Sequence, residues 1–517
     1  MVKLSAIKNI KFPIKLSILS KEYNQLINKP MILQNKLLKS IIKENKNTLY
    51  GKKYNFSKIK TFKDYQEQVP IVKYKKIKKY IEKIHKGEQN ILTKEKVIFL
   101  GTTSGSSGAP KLIPVTIKRK KTFRKELSLW AYFSLKQLPQ LWKGKTLHLI
   151  GGEPRTISRK SVPHGSINKF LSSYTPKAFR NKVVIKQSTW NVPDYESRLR
   201  MIAKEALKTQ SINHLGFPYP IEMTFLFKYI QKHWNSLLQE LTLEGKTRTV
   251  KRLRKINNKK PINIWPKLAA IHMIKTADQD IYLKQLFQTI GKKLIIKDLG
   301  INATESRLTF DLKSEGIAGF LAANVTLFEF QEKTKDGFKD PVLLDKLKKG
   351  KTYRVIITTV DGLYRYDIGD LIKVIRYEKK LPIVQFAGRD KHLNCCGENT
   401  PHNLLIFAAN KTFRSKAIKT YTVMPNKNYY EVYVEFEKNP NASQIKAMIK
   451  VFDETLQNNN KEYKLLRKKG KLKTTKLNIL KQGTFEKIYT NRIWKKGETK
   501  AISVTTDKAF KKLLETK

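Results

Sequence analysis

The stretch that decides the fold reads VIFLGTTSGSSGAPKLIP and spans residues 97–114. Its apolar start, residues 97–100, predicts a strand that leads into a loop of alternating hydroxyl and glycine residues. Glycine lets backbone N–H groups approach an anion closely, the hydroxyls add donors, and Lys111 adds a positive charge. The loop is not a Walker A motif, because none of the three Gly-Lys-Thr triplets has a glycine five residues upstream. The pattern suits triphosphate binding, although a flexible connector can have the same composition.

The sequence on either side of this loop predicts an α/β fold. Residues 1–95 carry apolar side chains at helical spacing, and residues 95–385 mix short apolar runs with helical patterns. Two of those runs, residues 146–150 and 355–359, predict strands. The first part of the chain is therefore expected to be a large α/β domain.

The tail from about residue 390 predicts a small α+β domain. YEVYVEF, residues 430–436, alternates as a half-buried strand does, and the apolar residues of 445–456 predict an amphipathic helix. The boundary is expected at Gly388-Arg389-Asp390, read as a polar turn after a strand at 383–387. This gives two predicted domains, residues 1–388 and 389–517.

The charge of the chain is unusually positive. There are 105 Lys plus Arg against 42 Asp plus Glu, a formal net charge of +63 at pH 7. This indicates either a nucleic-acid or anionic-membrane partner, or a compositional bias. A nucleic-acid-binding surface concentrates its basic residues in a stripe, whereas here they extend from Lys3 to Lys517. We therefore expect no specific nucleic-acid partner.

Cysteines and apolar runs bear on the cellular location. Cys395 and Cys396 are the only cysteines and are adjacent, so no disulfide framework is expected. Lysines interrupt the first 20 residues, which argues against a secretory signal. No apolar run approaches the 18 residues that suggest a membrane span. We predict a cytoplasmic protein without a membrane partner.

The segment TTSGSSGAPKLIP, residues 102–114, resembles the phosphate loop of adenylate-forming enzymes, which include acyl-CoA synthetases, peptide-synthetase adenylation domains and luciferases. Its Lys-x-x-Pro ending resembles one branch, the auxin-responsive Gretchen Hagen acyl-acid amido synthetases and their bacterial-type members. Other segments resemble this family in order and spacing, over nearly the whole chain. They are NTLYGKKY at 47–54, Gly-Phe-Pro at 216–218, Trp-Pro at 265–266, Phe-Glu-Phe at 328–330, YRYDIGD at 364–370, AGRDKHLNCCGENT at 387–400 and Gly-Thr-Phe at 483–485.

The resemblance implies a nucleotide site that binds ATP. Asp370 suits hydrogen bonds from two ribose hydroxyls, or alternatively the capping of a turn. Glu305 suits Mg²⁺ held against the phosphates, since Mg²⁺ prefers carboxylate and phosphate oxygens, or alternatively an exposed helix start. The residues implied to bind the nucleotide are Thr103, Ser104, Gly105, Ser106, Ser107, Gly108, Lys111, Thr304 and Asp370.

The same resemblance implies three catalytic residues, Glu305, Arg389 and Lys500. Arg389 and Asp390 would set a hinge and contact the ribose, or would form an ordinary polar turn. Lys500 would be carried into the site by a mobile C-terminal domain. There it would neutralise charge that develops on the α-phosphate and the carboxylate.

The sequence departs from the family where the adenine and the acyl group are expected. Residues 273–275, Met-Ile-Lys, stand where the family usually has a glycine pair. Ile301 replaces an aromatic residue that helps to seat the adenine, and Ser306 replaces a glycine. The usual Pro-Arg after the late lysine is absent. These departures imply that the acid differs from the usual acids of the family, or is bound less tightly.

These observations predict ATP- and Mg²⁺-dependent adenylation of a small carboxylic acid, followed by acyl transfer to an amine such as an amino acid. Three alternatives remain open. The acceptor could be a thiol such as coenzyme A, which would make the chain a thioester ligase. The chain could be a non-catalytic nucleotide-binding remnant, or a basic nucleic-acid-binding protein.

Overall fold

The structure is a computed structural model that describes residues 16–103, 111–149, 161–192, 194–217, 219–275, 279–311, 318–414, 418–496 and 501–516. The α-helices in these residues are α1 (Leu16–Asn28), α2 (Pro30–Asn45), α3 (Leu49–Lys53), α4 (Phe62–Gln68), α5 (Tyr74–His85), α6 (Ile117–Gln137), α7 (Ile167–Ser172), α8 (Lys177–Arg180), α9 (Tyr195–Lys208), α10 (Pro220–Lys232), α11 (Trp234–Leu243), α12 (Thr247–Arg254), α13 (Pro261–Ile264), α14 (Asp280–Ile290), α15 (His402–Phe413), α16 (Ala442–Asn459), α17 (Lys461–Lys468), α18 (Thr484–Lys496) and α19 (Lys508–Glu515).

In the same described residues, the strands form five sheets. They are β1 (Val97–Thr102), β2 (Leu112–Thr116), β3 (Lys145–His148), β4 (His164–Gly165), β5 (Ile212–Gly216), β6 (Ala270–Met273), β7 (Ile295–Asp298), β8 (Thr309–Asp311), β9 (Ala318–Leu321), β10 (Leu327–Glu332), β11 (Thr352–Thr358), β12 (Tyr366–Glu378), β13 (Leu381–Arg389), β14 (His392–Leu393), β15 (Thr400–Pro401), β16 (Ile418–Pro425), β17 (Tyr430–Phe436) and β18 (Lys476–Ile479).

The first part of the chain is helical, as expected, and packs onto the sheets that follow. The helix α5 buries Ile77, Tyr80 and Ile84, which share one face because they lie three or four residues apart. The helix α4 begins with a capping box formed by Thr61 and Asp64. Local sequence thus sets the helix ends, and burial of one face holds the helices in place.

Three sheets follow these helices, which confirms the predicted α/β architecture. The strands β2-β1-β4 form a small mixed sheet, and β3-β5-β6-β7 form a parallel sheet. The strands β10-β11-β12-β13-β9-β8 form an antiparallel sheet. The strands predicted at residues 97–100 and 355–359 correspond to β1 and β11. The run at 146–150 corresponds to β3.

The two faces of the parallel sheet differ in chemistry. Leu147 and Leu215 point to one face and are buried in an apolar core with α9, α10 and α14. The other face carries His214, His272 and Lys297 and packs against α6. We call it the α6 face. Residues in register on neighbouring strands project to the same side, so the polar residues form one row.

The C-terminal part has its own core, formed by the sheet β16-β17-β18 with α15 and α16. The strand β17 matches the predicted residues 430–436, but the expectation that it is half-buried is wrong, because every residue of it is buried. Its polar positions are covered as well. The Glu435 carboxylate accepts hydrogen bonds from the N–H groups of Gly483 and Phe485, at the start of α18. A second layer of helices therefore covers the face expected to meet water.

The junction between the two parts also differs from expectation. The strand β13 continues through Arg389, so Gly388 and Arg389 lie in a strand and not in a turn. The helix α14 then contacts β16, where Gln285 donates to the carbonyl of Ile418 (3.1 Å) and Tyr282 bonds Thr420. A mobile small domain that begins at residue 389 stays a prediction.

Two features relate to the expected location. None of the helices in the described ranges combines the length and the apolar character needed to cross a membrane. Cys395 and Cys396 are both free thiols, and the Cys395 thiol donates to the Tyr429 carbonyl (3.4 Å). No disulfide joins them, in line with the expectation for adjacent cysteines.

Candidate active site

A β-hairpin presents the predicted phosphate loop. The strands β1 and β2 pair antiparallel, with Thr102 opposite Leu112. Just beyond, the Thr103 N–H donates to the Lys111 carbonyl (3.0 Å), and the Lys111 N–H donates to the Thr103 hydroxyl (3.1 Å). The hairpin thus fixes both ends of the loop. Its tip, with Ser104, Gly105, Ser106, Ser107 and Gly108, lies outside the described residues.

Lys111 is held against two tyrosines. Its Nζ donates to the Tyr366 hydroxyl at 3.5 Å and lies 5.7 Å from the centroid of the Tyr74 ring. The Tyr74 hydroxyl accepts a hydrogen bond from the backbone N–H of Leu112 (2.9 Å). Burial raises the pKa of both tyrosines, so they remain neutral. Lys111 is therefore an oriented positive charge between β2 and β12.

Glu305 lies beside this lysine and is only 8% exposed. Burial raises its pKa, and the neighbouring Asp370 acts in the same direction, whereas Lys111 and Arg389 lower it. Four predicted site residues, Glu305, Lys111, Asp370 and Arg389, therefore lie close enough for their charges to interact. The exposed helix start considered for Glu305 is ruled out, because the residue is buried and lies in a turn where the Ala303 N–H donates to the Ser306 carbonyl (3.0 Å).

Arg389 and Asp370 face each other across two strands. They are in register on β12 and β13, and the Arg389 Nε donates to an Asp370 oxygen at 3.1 Å. Asp370 is 3% exposed, whereas the Arg389 side chain is largely exposed. Asp370 raises the pKa of Arg389, so the guanidinium stays charged. The turn-capping alternative for Asp370 is wrong, since the residue lies within a strand.

Thr304 packs against β1, the strand that leads to the predicted phosphate loop. A Cβ added to Gly101 would lie 2.9 Å from the Thr304 Cγ2 and 3.3 Å from the Ile167 Cβ, so only glycine permits this approach. The buried Thr102 hydroxyl has no hydrogen-bond partner in the described part of the chain. Buried polar groups are rarely left unpaired. A phosphate oxygen at the hairpin end is one group that would satisfy it.

A salt bridge holds the end of β13. Asp390 pairs with Arg354, whose guanidinium lies 3.5 Å from the centroid of the Phe338 ring and 3.8 Å from Asp367. The Asp390 N–H donates to the carbonyl of Gly369 (2.8 Å). Asp390 is therefore held by the large sheet and not by the tail. Its predicted role in a hinge remains a prediction.

A buried ion network anchors the turn that carries Glu305. The Arg307 Nε donates to Glu126 (3.3 Å), and Arg119 donates to the same carboxylate (2.5 Å). Arg307 also donates to the Leu299 carbonyl (2.5 Å), so it joins both ends of the turn. Sequence reasoning missed this network, and also Tyr366, Tyr74 and Thr102. Each of these three residues lies in a segment that resembles the family: Thr102 in 102–114, Tyr366 in YRYDIGD, and Tyr74 at the end of residues 62–74.

Two departures from the family pattern have structural partners. The Ser306 hydroxyl bonds the Thr326 hydroxyl at 2.7 Å, and both residues are buried. The Ile301 N–H donates to the Thr309 hydroxyl (2.8 Å), and its half-buried side chain packs against the core of the large sheet. Ser306 thus stabilises the turn from inside the protein. Its hydroxyl already has a hydrogen-bond partner, the Thr326 hydroxyl.

The charges fit Mg²⁺ bound together with phosphate. Among the described residues, no three His, Cys, Asp or Glu side chains come close enough to form a metal cage. Mg²⁺ commonly uses one or two carboxylates and completes its coordination with water and phosphate oxygens. Glu305 supplies one carboxylate beside the hairpin, so the residues present fit this mode. Lys500 lies outside the described residues.

Three family models match the chain. Residues 19–295, more than half of the chain, match the GH3 family N-terminal domain, residues 319–389 match the GH3 family central domain, and residues 403–501 match the GH3 family C-terminal domain.

Known proteins are similar in sequence and in fold. An indole-3-acetic acid-amido synthetase, GH3.4 of Arabidopsis thaliana, is 25% identical over 416 residues, 71% of this chain and 68% of the relative. A jasmonoyl–L-amino acid synthetase of Oryza sativa subsp. japonica is 22% identical, over 71% of this chain and 72% of the relative. The solved GH3.15 acyl acid amido synthetase superposes with a TM-score of 0.84 at 20% identity, covering 97% of this chain and 96% of that one.

A structure of 2-hydroxyisobutyryl-CoA ligase in the postadenylation state superposes with a TM-score of 0.56 at 12% identity, covering 94% of this chain and 92% of that one. At these identities the structural likeness shows the fold alone. The chain therefore has the fold of adenylate-forming enzymes, with a large α/β part and a smaller C-terminal part.

Proposed function

This chain belongs to the GH3 family, and on that premise we propose that it activates a small carboxylic acid with ATP and transfers the acyl group to an amine. The observation that carries the proposal is the meeting of Lys111, Glu305, Asp370 and Arg389 beside the β1–β2 hairpin. These residues come from four separate segments. Their charges and spacing suit a nucleotide with Mg²⁺.

Each residue has a role that its surroundings support. Lys111, Thr102 and Thr103 bind the phosphates at the hairpin, together with the loop residues 104–108. Asp370 accepts hydrogen bonds from the ribose hydroxyls, and the hydrogen bond from Arg389 orients its carboxylate. Glu305 would hold Mg²⁺, which would supply positive charge to the phosphate oxygens.

The reaction then proceeds in two steps. A carboxylate oxygen of the acid attacks the α-phosphorus of ATP, the bond to the β-phosphate oxygen breaks, and pyrophosphate leaves. The amine nitrogen next attacks the carbonyl carbon of the acyl-adenylate, AMP leaves with the bridging oxygen, and the nitrogen loses a proton. The protein contributes by positioning the reactants and by balancing charge, and Lys111 stabilises negative charge on the phosphates.

We propose an amine and not a thiol as the acceptor. Of the relatives that support this, one is named an indole-3-acetic acid-amido synthetase and another a jasmonoyl–L-amino acid synthetase. A CoA ligase shares the fold, so a thiol acceptor is the second candidate. Incubating the enzyme with ATP, an accepted acid and either an amino-acid mixture or coenzyme A separates the two, because an amide and a thioester differ in mass and in sensitivity to hydroxylamine.

The first prediction tests adenylation itself. In the presence of Mg²⁺, the protein should exchange labelled pyrophosphate into ATP only when an accepted carboxylic acid is present, because the back-reaction requires an acyl-adenylate. A panel of aliphatic and aromatic acids and their hydroxylated forms serves as the screen. Exchange without any acid, or the absence of exchange with every acid, would contradict the proposal and favour a nucleotide-binding remnant.

The second prediction concerns Lys500, which the family resemblance assigns to the first step. Replacing it by alanine should lower the rate of adenylation by about tenfold, equivalent to roughly 1.4 kcal/mol of transition-state stabilisation. Transfer from a supplied acyl-adenylate should stay largely intact. The exposed Lys508 provides the control as Lys508→Ala. Equal losses in both steps would mean that Lys500 does not act on adenylation alone.

The cellular setting is part of the proposal. We place the protein in the cytoplasm, where ATP is abundant and thiols such as Cys395 and Cys396 stay reduced. Its partners are then the acid and the amine. We propose no specific nucleic-acid partner, since the basic residues extend over the whole sequence.

A further inference from the structure

The α6 face of the parallel sheet is unusually polar for a buried surface. His272 on β6 is in register with Gly216 on β5 and with Lys297 on β7, and His214 lies on β5 two residues before Gly216. All three side chains are more than nine-tenths buried. The opposite face of the same strands is apolar, so the polarity belongs to the α6 face alone.

The helix α6 meets this row with polar groups of its own. The Trp130 ring centroid lies 4.5 Å from that of His272, with the rings at 73°. The side chain of Gln137 accepts a hydrogen bond from Lys297. Ser134 lies one turn from Trp130 on the same side of the helix. The helix and the sheet therefore enclose a common polar layer.

Three atoms in this layer lack a hydrogen bond. They are the Trp130 Nε1, the Ser134 hydroxyl and the His272 Nε2, each buried and without a partner in the described part of the chain. His214, in contrast, is satisfied by Thr146 and Asn213. Since most buried polar atoms are hydrogen-bonded, three exceptions on the facing elements α6 and β6 indicate a site for a small polar group.

The protonation states define which group fits. Burial lowers the pKa of His214 to about 3 and that of His272 well below its usual value, so both rings are neutral at pH 7. Trp130 can only donate, whereas a neutral histidine and a serine hydroxyl offer both a donor and an acceptor. An oxygen atom that accepts from Trp130 and is hydrogen-bonded to both Ser134 and His272 satisfies this set.

The layer lies close to the proposed reaction site. Glu126 on α6 contacts Arg307, which follows Glu305 by two residues. Trp130 is one turn further along α6, about 6 Å along the helix axis. In parallel α/β sheets, ligands bind beyond the carboxyl ends of the strands, and His272 is the penultimate residue of β6. A small acid can span this separation.

We propose that this layer is the distal end of the acyl site, and that the acid carries a hydrogen-bonding oxygen remote from its reacting carboxylate. Trp130, Ser134 and His272 recognise that oxygen. It belongs to a hydroxyl or to a second carboxyl group, the latter favoured by the adjacent charge of Lys297. This inference rests on the proposed function and narrows its substrate to hydroxy acids or dicarboxylic acids.

Matched acids test the inference. The value of kcat/KM in the exchange assay is measured for phenylacetate against 4-hydroxyphenylacetate, and for hexanoate against 6-hydroxyhexanoate and adipate. We expect one oxygenated acid to exceed its apolar partner by about tenfold or more, because an apolar group leaves the buried polar atoms unpaired. The hydroxy acid and the dicarboxylate distinguish the two sources of oxygen.

Variants separate recognition from packing. Trp130→Phe keeps an aromatic ring but removes the N–H, so the ratio of kcat/KM for the oxygenated acid to that for its apolar partner should fall towards one. Trp142→Phe, at a tryptophan that packs on Phe179, should leave the preference unchanged. Apolar acids that are equal or better in every pair, or a preference that survives Trp130→Phe, would overturn the inference.

Binding measured without turnover keeps this test independent of the proposed function. Titration calorimetry with the same acids reports the preference even when no exchange occurs. Exchange without a preference for oxygen overturns the acyl-site inference alone, whereas a binding preference without exchange overturns the proposed function alone. The absence of both overturns both.

Discussion

Replacing Asp370 by alanine should lower kcat/KM for ATP in the exchange reaction by about 100-fold or more. The carboxylate is buried and is oriented by Arg389 at 3.1 Å, so it does not need to reorganise when the ribose arrives. Two hydrogen bonds from ribose hydroxyls to a charged group are together worth about 3 kcal/mol or more. The loss also leaves Arg389 without its partner beside the phosphates.

Two further variants sharpen this prediction. Asp370→Asn keeps the shape and part of the hydrogen bonding, so it should retain more activity than the alanine variant. Asp345→Ala, at an exposed carboxylate that pairs with Lys346 at 3.8 Å, should have no effect on kcat/KM. Near-normal use of ATP by Asp370→Ala would exclude the proposed contact with the ribose. Thermal unfolding of each variant shows whether the loss reflects folding instead.

The second prediction with a large effect concerns the stability of the folded protein and the buried carboxylate of Glu329. This carboxylate on β10 receives two hydrogen bonds of 2.9 Å from Arg365, and both side chains are almost fully buried. Arg365 also donates to the carbonyls of Gln66 and Val69 and has a φ of 42°, a left-handed conformation that non-glycine residues rarely adopt. The guanidinium thus links an N-terminal helix to the turn before Tyr366.

Glu329→Ala should therefore destabilise the protein by about 3–5 kcal/mol, because it leaves a buried charge without its partner. We expect the thermal midpoint to fall by roughly 5 °C. Glu332→Ala removes a carboxylate from the same strand whose ion pairs with Lys339 and Lys351 lie at the surface, so it should change the midpoint little. Equal midpoints for the two variants would show that the buried pair does not hold this turn.

The sequence predicted those features that depend on neighbours along the chain. The strand β1 and the loop that follows it were predicted from an apolar run and a Gly-rich segment. YRYDIGD identified Asp370 as a candidate site residue through its resemblance to the family, although not the strand in which it lies. The amphipathic pattern of residues 445–456 predicted α16, which the structure has at Ala442–Asn459. In these cases the pattern that indicates the feature lies within one short segment of the chain.

Features set by contacts between distant segments were missed or wrong. The alternative of an exposed helix start for Glu305 was wrong, because the residue is buried and lies near Lys111 and Arg389, which are far away in sequence. The strand β17 alternates, yet both faces are covered, because α18 and α19 return from the end of the chain. The alternation alone could not reveal the second layer.

No local sequence pattern indicated the row of polar residues on the α6 face. His214 and His272 are 58 positions apart and meet only because β5 and β6 pair in parallel register. A lone histidine in an apolar run gives no indication of a site. The same holds for Arg307 and Glu126, whose contact joins a turn to a helix far away along the chain.

The chemical difference between the two faces of the parallel sheet has an evolutionary consequence. The apolar face supplies folding stability, whereas the unpaired groups on the α6 face cost stability. Substitutions such as His272→Leu would relieve that cost, and a lineage selected only for thermal robustness would accumulate them. Persistence of the polar row among close descendants would therefore measure selection on substrate choice, independently of selection on folding.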